Sequence, residues 1–197
     1  DFENAVDSGT NNTYEVQVTA NDGANSTVKT ITVTVNDLND NAPIISTNAA
    51  QSVNENSAFS VALTSTDADT VGTNPATFAI TGGADSGLFS IVGGNLTMTA
   101  KDFENAVDSG TNNTYEVQVT ANDGANNTVK TITVTVNDLN DNAPVITTNA
   151  VQSVSENSAF SVALGSTDAD TVGTNPATFA ITGGTDSGLF SIVGGNL

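Results

Sequence analysis

The sequence repeats with a period of 101 residues: residues 1 to 96 align with residues 102 to 197 without a gap and differ at seven positions. None of the seven differences falls on an acidic residue. A period of about 100 residues is the usual size of one small domain. The chain therefore consists of tandem copies of one domain, and its acidic residues recur in the same pattern in each copy.

An acidic motif followed by Ala-Pro marks the boundary between copies. Asp37-Leu38-Asn39-Asp40-Asn41 recurs unchanged as Asp138-Leu139-Asn140-Asp141-Asn142. The prolines that follow, Pro43 and Pro144, are natural places for a new domain to start. We therefore predict three units: the C-terminal part of a repeat in residues 1 to 41, a complete repeat in 42 to 141, and the N-terminal part of the next repeat in 142 to 197.

Composition excludes several classes of function. The chain has 22 acidic residues, three lysines and a net charge of -19, so its surface repels nucleic acid and anionic lipid and attracts cations. It has no cysteine, histidine or tryptophan, which excludes disulfides, zinc sites and the usual proton shuttles. We expect no enzymatic activity. No apolar run approaches the roughly 18 residues that a membrane span needs, so we expect no direct membrane insertion.

Apolar and polar residues alternate through most of the sequence, as they do in half-buried strands. Tyr115, Val117 and Val119, for example, are each followed by a polar residue. Glycine pairs such as Gly93-Gly94 separate these runs and predict turns. With a first strand near 44 to 54, each unit has about seven short antiparallel strands. The predicted fold class is therefore all-β, with tandem immunoglobulin-like Greek-key β-sandwiches.

The predicted path of the strands sorts the acids into two groups. Suppose that every strand crosses the unit from the pole marked by Pro43, the first pole, to the second pole or back. Three acids then lie at the first pole: Asp67, Asp69 and Asp123. Five lie at the second pole: Glu55, Asp102, Glu104, Asp138 and Asp141. The second pole of one unit faces the first pole of the next. Two unit charges about 4 Å apart repel by about 1 kcal/mol in water and by roughly four times that near a protein surface. Either the pKa values rise or divalent cations bind, and calcium accepts such irregular sets of oxygen ligands better than magnesium does.

Five motifs resemble those of the cadherin repeat family, in the family's order and along the whole chain. The linker at 138 to 144 resembles its Asp-x-Asn-Asp-Asn-Ala-Pro signature, and Asn54-Glu55-Asn56 resembles its early glutamate. Asp67-Ala68-Asp69, Asp102-Phe103-Glu104 and Ala121-Asn122-Asp123-Gly124 resemble its Asp-x-Asp, Asp-x-Glu and Ala-x-Asp-x-Gly motifs. The resemblance implies about three calcium ions at each junction between units.

The resemblance also implies two sets of calcium ligands. The set at the first junction is Asp1, Glu3, Asp37, Asn39, Asp40, Asn41, Asp67, Asp69, Asn74 and Asp123. The set at the second junction is Glu55, Asp102, Glu104, Asp138, Asn140, Asp141, Asn142, Asp168, Asp170 and Asn175. Three departures from the family pattern indicate a bacterial cadherin-like branch: Lys101 stands where leucine is preferred, Ile44-Ile45 replaces the usual aromatic residue, and Asn74 is offset by one residue from the commonest spacing.

Some motifs have other interpretations. The acidic linker could be a solvated turn, because aspartate and asparagine favour turns. The stretch from Asp67 to Gly72 lacks the ligands of an EF-hand loop. The row Thr131, Thr133 and Thr135 could bind ice or sugar, although an exposed sandwich face explains it more simply. Asn-x-Ser/Thr patterns are expected by chance in so Asn- and Thr-rich a chain. Examples begin at Asn11, Asn25, Asn112 and Asn126.

Together these observations predict the repetitive stalk of a secreted or cell-surface bacterial adhesin that projects a distal binding domain. Near-identical copies favour a stalk, because a spacer gains length by duplication whereas a ligand-binding tip is seldom duplicated unchanged. One alternative is a structural subunit of a surface layer or extracellular filament, and another is a carbohydrate- or ice-binding module. The expected partners are calcium ions and neighbouring repeats of the same array, with no nucleic acid.

Overall fold

The computed structural model describes all 197 residues, and regular structure is concentrated in residues 42 to 141, called here the middle unit. The first unit, residues 1 to 41, contributes one hairpin of β1 (Thr13–Asn21) and β2 (Ser26–Thr34). The third unit, residues 142 to 197, forms only the short strands β12 (Val145–Ile146) and β13 (Ser166–Thr167) and a 3-10 turn at Ser187–Leu189. None of the chain's helical segments has the length and apolarity to cross a membrane.

The middle unit is a β-sandwich built from two main sheets and one short strand pair. Its strands are β3 (Ile44–Ile45), β4 (Ala50–Asn54), β5 (Phe59–Ala62), β6 (Ser65–Thr66), β7 (Thr77–Gly82), β8 (Phe89–Val92), β9 (Asn95–Met98), β10 (Thr114–Asn122) and β11 (Asn127–Asn137). A 3-10 turn at Ser86–Leu88 precedes β8. The sheets have the orders β4-β11-β10-β7 and β5-β9-β8, and β3 pairs with β6. This arrangement confirms the predicted all-β sandwich.

The first strand of the unit differs from the prediction. Residues 44 to 54 do not form one strand; they divide into β3 and β4, which lie in different sheets. Between them, Thr47 Oγ1 donates to the carbonyl of Ala62 and accepts from the backbone N–H of Thr64. These side-chain bonds hold the chain where it crosses between sheets, and alternation of apolar and polar residues does not reveal them.

The prediction of purely antiparallel pairing is also wrong for one pair of strands. β4 pairs with β11 in parallel, with Ala50 opposite Thr133 and Asn54 opposite Asn137. Both strands run from the first pole to the second, so two neighbours with that direction can pair only in parallel. Lys130 on β11 also donates from Nζ to the carbonyls of Ile45 and Thr47, at 3.0 and 2.6 Å.

One apolar core fills the space between the sheets. Val117 and Val134 from β10 and β11 are fully buried and belong to the same cluster as Phe59, Phe89 and Leu96 of the other sheet. Burying one such side chain contributes about 1.5 to 3 kcal/mol. The core therefore depends on strands that are distant in sequence. It consists of a main cluster and a small second cluster, and the residues of both lie between Ile45 and Val136.

The loop between β9 and β10 positions two of the predicted acids at the second pole. Buried Asp108 accepts backbone N–H groups of Gly110, Asn112 and Asn113, so one side chain organises the loop. Asn113 in turn donates from Nδ2 to the carbonyl of Phe103 at 2.8 Å. Phe103 lies between Asp102 and Glu104 in sequence, so this bond fixes the backbone that carries both acids.

Candidate metal centre

At the first junction, between the first and middle units, two clusters of carboxylates converge. Oxygens of Asp67, Asp69 and Asp123 lie within 4.8 Å of one another, and so do oxygens of Glu3, Asp40 and Asp69. Asp67 and Asp69 follow β6, whereas Asp123 follows β10. Because Asp69 belongs to both clusters, the linker and two loops of the middle unit meet at one side chain.

At the second junction, between the middle and third units, two further clusters of carboxylates converge. Oxygens of Glu55, Glu104 and Asp141 lie within 4.8 Å of one another, as do those of Glu104, Asp138 and Asp170. Buried Glu55 accepts the backbone N–H of Phe103 at 2.8 Å and that of Leu139 at 2.7 Å. Glu55 therefore holds both the acid-bearing loop and the linker.

Each linker contacts the unit downstream of it through the same hydrogen bonds. Asn41 donates its backbone N–H and Nδ2 to Asp69 at 2.9 and 2.7 Å, and Asn142 donates in the same way to Asp170 at 3.0 and 2.8 Å. Thr70 donates its backbone N–H and hydroxyl to Asp37. The equivalent bonds of Thr171 to Asp138 are also present.

Four carboxylate oxygens at the junctions are buried and have no hydrogen-bond partner. They are Glu3 Oε1 and Asp37 Oδ1 at the first junction, and Glu104 Oε1 and Asp138 Oδ1 at the second. The two pairs occupy equivalent positions, 101 residues apart. A buried charged oxygen without a partner is costly. The surrounding donors are carboxylate and amide oxygens, which are the ligands that calcium prefers, so the residues present fit this ion.

The pKa directions follow from crowding at the second junction. Burial raises the pKa of Glu104, and the negative charge of Glu55 raises it further. Burial also raises the pKa of Asp141, with added repulsion from Glu55 and Asp170. The pKa of Asp102 is lowered instead, chiefly because the side chain of Asn105 donates to it. The protein thus satisfies Asp102 with its own donors but leaves like charges facing one another around Glu104.

Solved structures similar to this chain include several cadherin extracellular repeats. Repeats EC3-6 of protocadherin gammaB7, in a cis-dimer structure, are 25% identical with a TM-score of 0.66, and the match covers 81% of this chain and 43% of that one. Domains 1-5 of protocadherin gamma B2 are 26% identical with a TM-score of 0.59, covering 82% and 33% of the two chains. Repeats EC21-23 of human CDH23 are 20% identical with a TM-score of 0.58, and the match covers 82% of this chain and 55% of that one.

The chain has the fold of cadherin extracellular repeats. It spans 33% to 55% of the length of these three structures. No protein-family model matches the sequence, and no curated protein matches it significantly. The arrangement of strands therefore shows the cadherin-repeat fold, although the sequence has diverged too far for a match at the level of sequence.

The cadherin-repeat fold brings most of the predicted ligands together. Asp1 lines a cleft with Glu3 and Asp40, and Asp102 lines one with Glu104 and Asp141. The asparagines of the linkers also lie at the clusters. Asn39 donates to Asp123, and a Cβ atom at Gly173 would lie 2.7 Å from Nδ2 of Asn140.

Two predicted ligands stand apart from these contacts. No hydrogen bond joins Asn74 or Asn175 to any of the acids. Asp168 lies two residues before Asp170 and accepts its backbone N–H at 3.3 Å. The assignment of all these residues as metal ligands remains a prediction from the motifs.

Three residues at the junctions were not identified from the sequence. Asn56 donates to Asp141 at 2.5 Å, Thr70 donates to Asp37, and Asn126 donates to the first linker. Asn56 belongs to the Asn-Glu-Asn motif, and Thr70 follows the Asp-x-Asp motif directly, so their positions were available signals. Asn126 lies three residues after Asp123, and its sequence pattern indicates no contact with the linker.

Proposed function

We propose that this chain is a segment of the calcium-rigidified stalk of a secreted or cell-surface bacterial adhesin. In this proposal the stalk is divided into repeats at residues 41/42 and 141/142, and it holds a distal binding domain away from the cell. The observation that carries the proposal is the pair of buried, unpartnered carboxylate oxygens that recurs at both junctions. A unit that repeats this costly feature unchanged has a use for it at every junction.

The residues at each junction have complementary roles in this proposal. Glu104 and Asp138 supply oxygens that lack protein donors, while Asp170 supplies an oxygen from the downstream unit. About three calcium ions per junction would supply the missing counter-charge and tie the two units together. Glu55 and Asn142 keep the linker in place through hydrogen bonds to backbone and to Asp170.

An extracellular location and an adhesive role are supported by the fold. The similar structures are extracellular domains of cadherins, and one of them is described as a cis-dimer. Near-identity of the copies supports a spacer, since each junction presents the same acids. Assembly of this chain into a filament or surface layer is the alternative, and it predicts lateral contacts that a stalk does not need.

Calcium binding and chain dimensions test the proposal together. Isothermal titration calorimetry on the 197-residue chain is expected to show calcium binding, and small-angle scattering is expected to show a longer, stiffer particle with calcium than with chelator. A ligand that binds only the folded state raises the unfolding free energy by about 2.7 kcal/mol per site at a hundredfold excess over Kd. We therefore expect calcium also to raise the melting temperature.

A matched pair of variants identifies the site. Glu104→Gln replaces one of the unpartnered oxygens and is expected to weaken calcium binding, whereas Glu116→Gln changes an exposed acid of β10 and is expected to leave binding unchanged. If wild-type protein shows no calcium binding, and neither scattering nor melting responds to chelator, the stalk is not rigidified by calcium. A change in oligomeric state with calcium would favour the filament alternative.

A further inference from the structure

The side-chain amide of Asn126 lies against the first linker. Its Nδ2 atom is 2.9 Å from the carbonyl oxygen of Asn41, 3.2 Å from that of Asn39 and 3.3 Å from Asn39 Oδ1. It is also 3.4 Å from Asp123 Oδ2. The two backbone carbonyls belong to the linker, and Asn126 belongs to the middle unit. One amide thus bridges the two sides of the junction with hydrogen-bond donors, which no carboxylate of the cluster supplies.

The turn between β10 and β11 aims Asn126 at the linker. Asp123 Oδ1 accepts the backbone N–H groups of Ala125 and Asn126, both at 2.7 Å, which fixes the backbone of the turn. The linker also contacts this turn in the other direction. Asn39 Nδ2 donates to the backbone carbonyl and to Oδ1 of Asp123, at 3.3 and 3.2 Å. The contact is therefore reciprocal and involves both side chains and backbone.

The first unit contains the same turn without a linker beside it. Asp22 Oδ1 accepts the backbone N–H groups of Ala24 and Asn25 at 3.0 and 2.7 Å, as Asp123 does in the middle unit. Asn25 is the equivalent of Asn126, but it is exposed and its side chain makes no hydrogen bond to a linker. The turn forms from local sequence alone, so the contact of Asn126 is an addition that only the junction supplies.

We propose that Asn126 is a positioning residue that fixes the first linker, residues 37 to 41, on the middle unit without the help of a cation. Its amide holds the carbonyls of Asn39 and Asn41, while Asp69 holds the backbone N–H and side chain of Asn41. The turn that carries Asn126 thus supplies a hydrogen-bond donor to Asn41, and the loop that carries Asp69 supplies acceptors to the same residue. This role goes beyond calcium binding, because every contact in it is made by protein atoms.

Amide hydrogen exchange in chelator tests this role on the full 197-residue chain. The backbone N–H of Asn41 is protected by its bond to Asp69 and reports on linker docking. Asn126→Ala is expected to speed exchange in the first linker by about fivefold to tenfold, the value of about one net hydrogen bond. The second linker, residues 138 to 142, is an internal control in the same molecule. Peptides that extend through residues 50 and 151 distinguish the two, because Ala50 and Val151 differ in mass.

Two further variants separate positioning from general destabilisation. Asn25→Ala is the matched control and is expected to leave both linkers unchanged. Asn126→Asp keeps the shape of the side chain but replaces the donor with an oxygen that faces other oxygens, so it is expected to speed exchange in the first linker at least as much as Asn126→Ala. Exchange in the core strands is expected to stay at the wild-type rate in all three variants.

Three results would overturn the role of Asn126. They are unchanged exchange of the first linker in Asn126→Ala, protection retained in Asn126→Asp, and unfolding of the middle unit in both variants, which would mean that the turn itself needs the side chain. The measurements are made in chelator, so they do not depend on calcium binding. A chain that binds no calcium but loses linker protection in Asn126→Ala would contradict the stalk mechanism and leave the role of Asn126 intact.

Discussion

The hairpins β1–β2 and β10–β11 have nearly the same sequence and the same register, but different surroundings. Tyr14 pairs with Val33 in one, and Tyr115 pairs with Val134 in the other. Val33 is 54% exposed, whereas Val134 is fully buried. The difference lies in the neighbours: β10 and β11 pair with β7 and β4 and face the second sheet, while β1 and β2 pair only with each other.

This comparison separates hairpin formation from burial. Alternating residues and a tight turn are enough for the two strands to pair, because those signals are local. Burial requires a partner sheet, and residues 1 to 41 contain no second sheet for the apolar face of β1–β2. The same substitution made in each hairpin therefore measures what the second sheet contributes.

The largest effect is expected from a charge placed at the centre of the core. Val134→Asp puts a carboxylate where no partner can reach it, and a buried unpaired charge costs several kcal/mol. We expect the middle unit to lose its fold. Val33→Asp places the same group on an exposed surface and is expected to change the unfolding free energy by less than about 0.5 kcal/mol. Urea unfolding followed by circular dichroism checks both variants, and equal losses would contradict the division between the hairpins.

A smaller effect is expected from removal of one methyl group. Ile132→Val creates a small cavity in a fully buried position and is expected to cost about 0.5 to 1.5 kcal/mol. Ile31→Val, at the same place in the exposed hairpin, is expected to cost almost nothing. The same unfolding measurement applies. A similar cost in both hairpins would mean that β1–β2 is covered in solution by another part of an array or another copy.

The pH dependence of stability gives a further, weaker comparison. Burial raises the pKa of Tyr115, so the folded state keeps its proton at a pH where the unfolded state has lost it. Its contribution to stability is fully present below the unfolded pKa of about 10 and is lost as the pH rises through the folded value, by at most about 1.4 kcal/mol per pH unit.

Tyrosine-to-phenylalanine variants isolate this contribution. Tyr115→Phe is expected to flatten the fall in unfolding free energy above about pH 10, and Tyr14→Phe in the exposed hairpin is the matched control. Unfolding in urea at a series of pH values measures the difference between the two profiles. A fall of the same steepness in Tyr115→Phe and wild type would contradict the expected role of burial.

The smallest effect on unfolding is expected at the junction. Asp141 belongs to the acidic cluster and not to the apolar core, and its neighbours Glu55 and Glu104 repel it in the absence of a cation. Asp141→Ala is therefore expected to leave the unfolding free energy of the middle unit almost unchanged in chelator. In calcium it is expected to loosen the second junction, which scattering would show as a less extended chain. Unfolding of the sandwich by this variant would mean that the acids also support the core.

The path of the strands was sufficient to group the acids. Alternation and turn residues predicted strands near those observed, and crossing the unit strand by strand placed Asp67, Asp69 and Asp123 at one pole, where their oxygens do meet. Sequence alone missed the split between β3 and β4 and the parallel pairing of β4. Both depend on Thr47, Lys130 and the last strand of the unit. Lys130 lies on that strand, 83 residues after Thr47, so no local pattern connects them.

Local sequence determined the features that recur wherever the sequence recurs. The loop organised by Asp108 has the same hydrogen bonds as the loop organised by Asp7, and the linker bonds of Asn41 and Asn142 are the same. All these partners lie within 28 residues of each other, so short stretches of chain are enough to form them.

Tertiary structure alone decided which segments become ordered sheet and core. Residues 142 to 197 nearly repeat residues 41 to 96, but they form only two strands of two residues each, whereas the middle unit has full strands over the equivalent positions. In the middle unit those strands pair with β10 and β11 or pack against them, and residues 142 to 197 do not include the equivalent hairpin. A strand gains its hydrogen bonds and its burial from neighbouring strands. Its own sequence therefore favours a strand, but the strand forms only where such a neighbour is present.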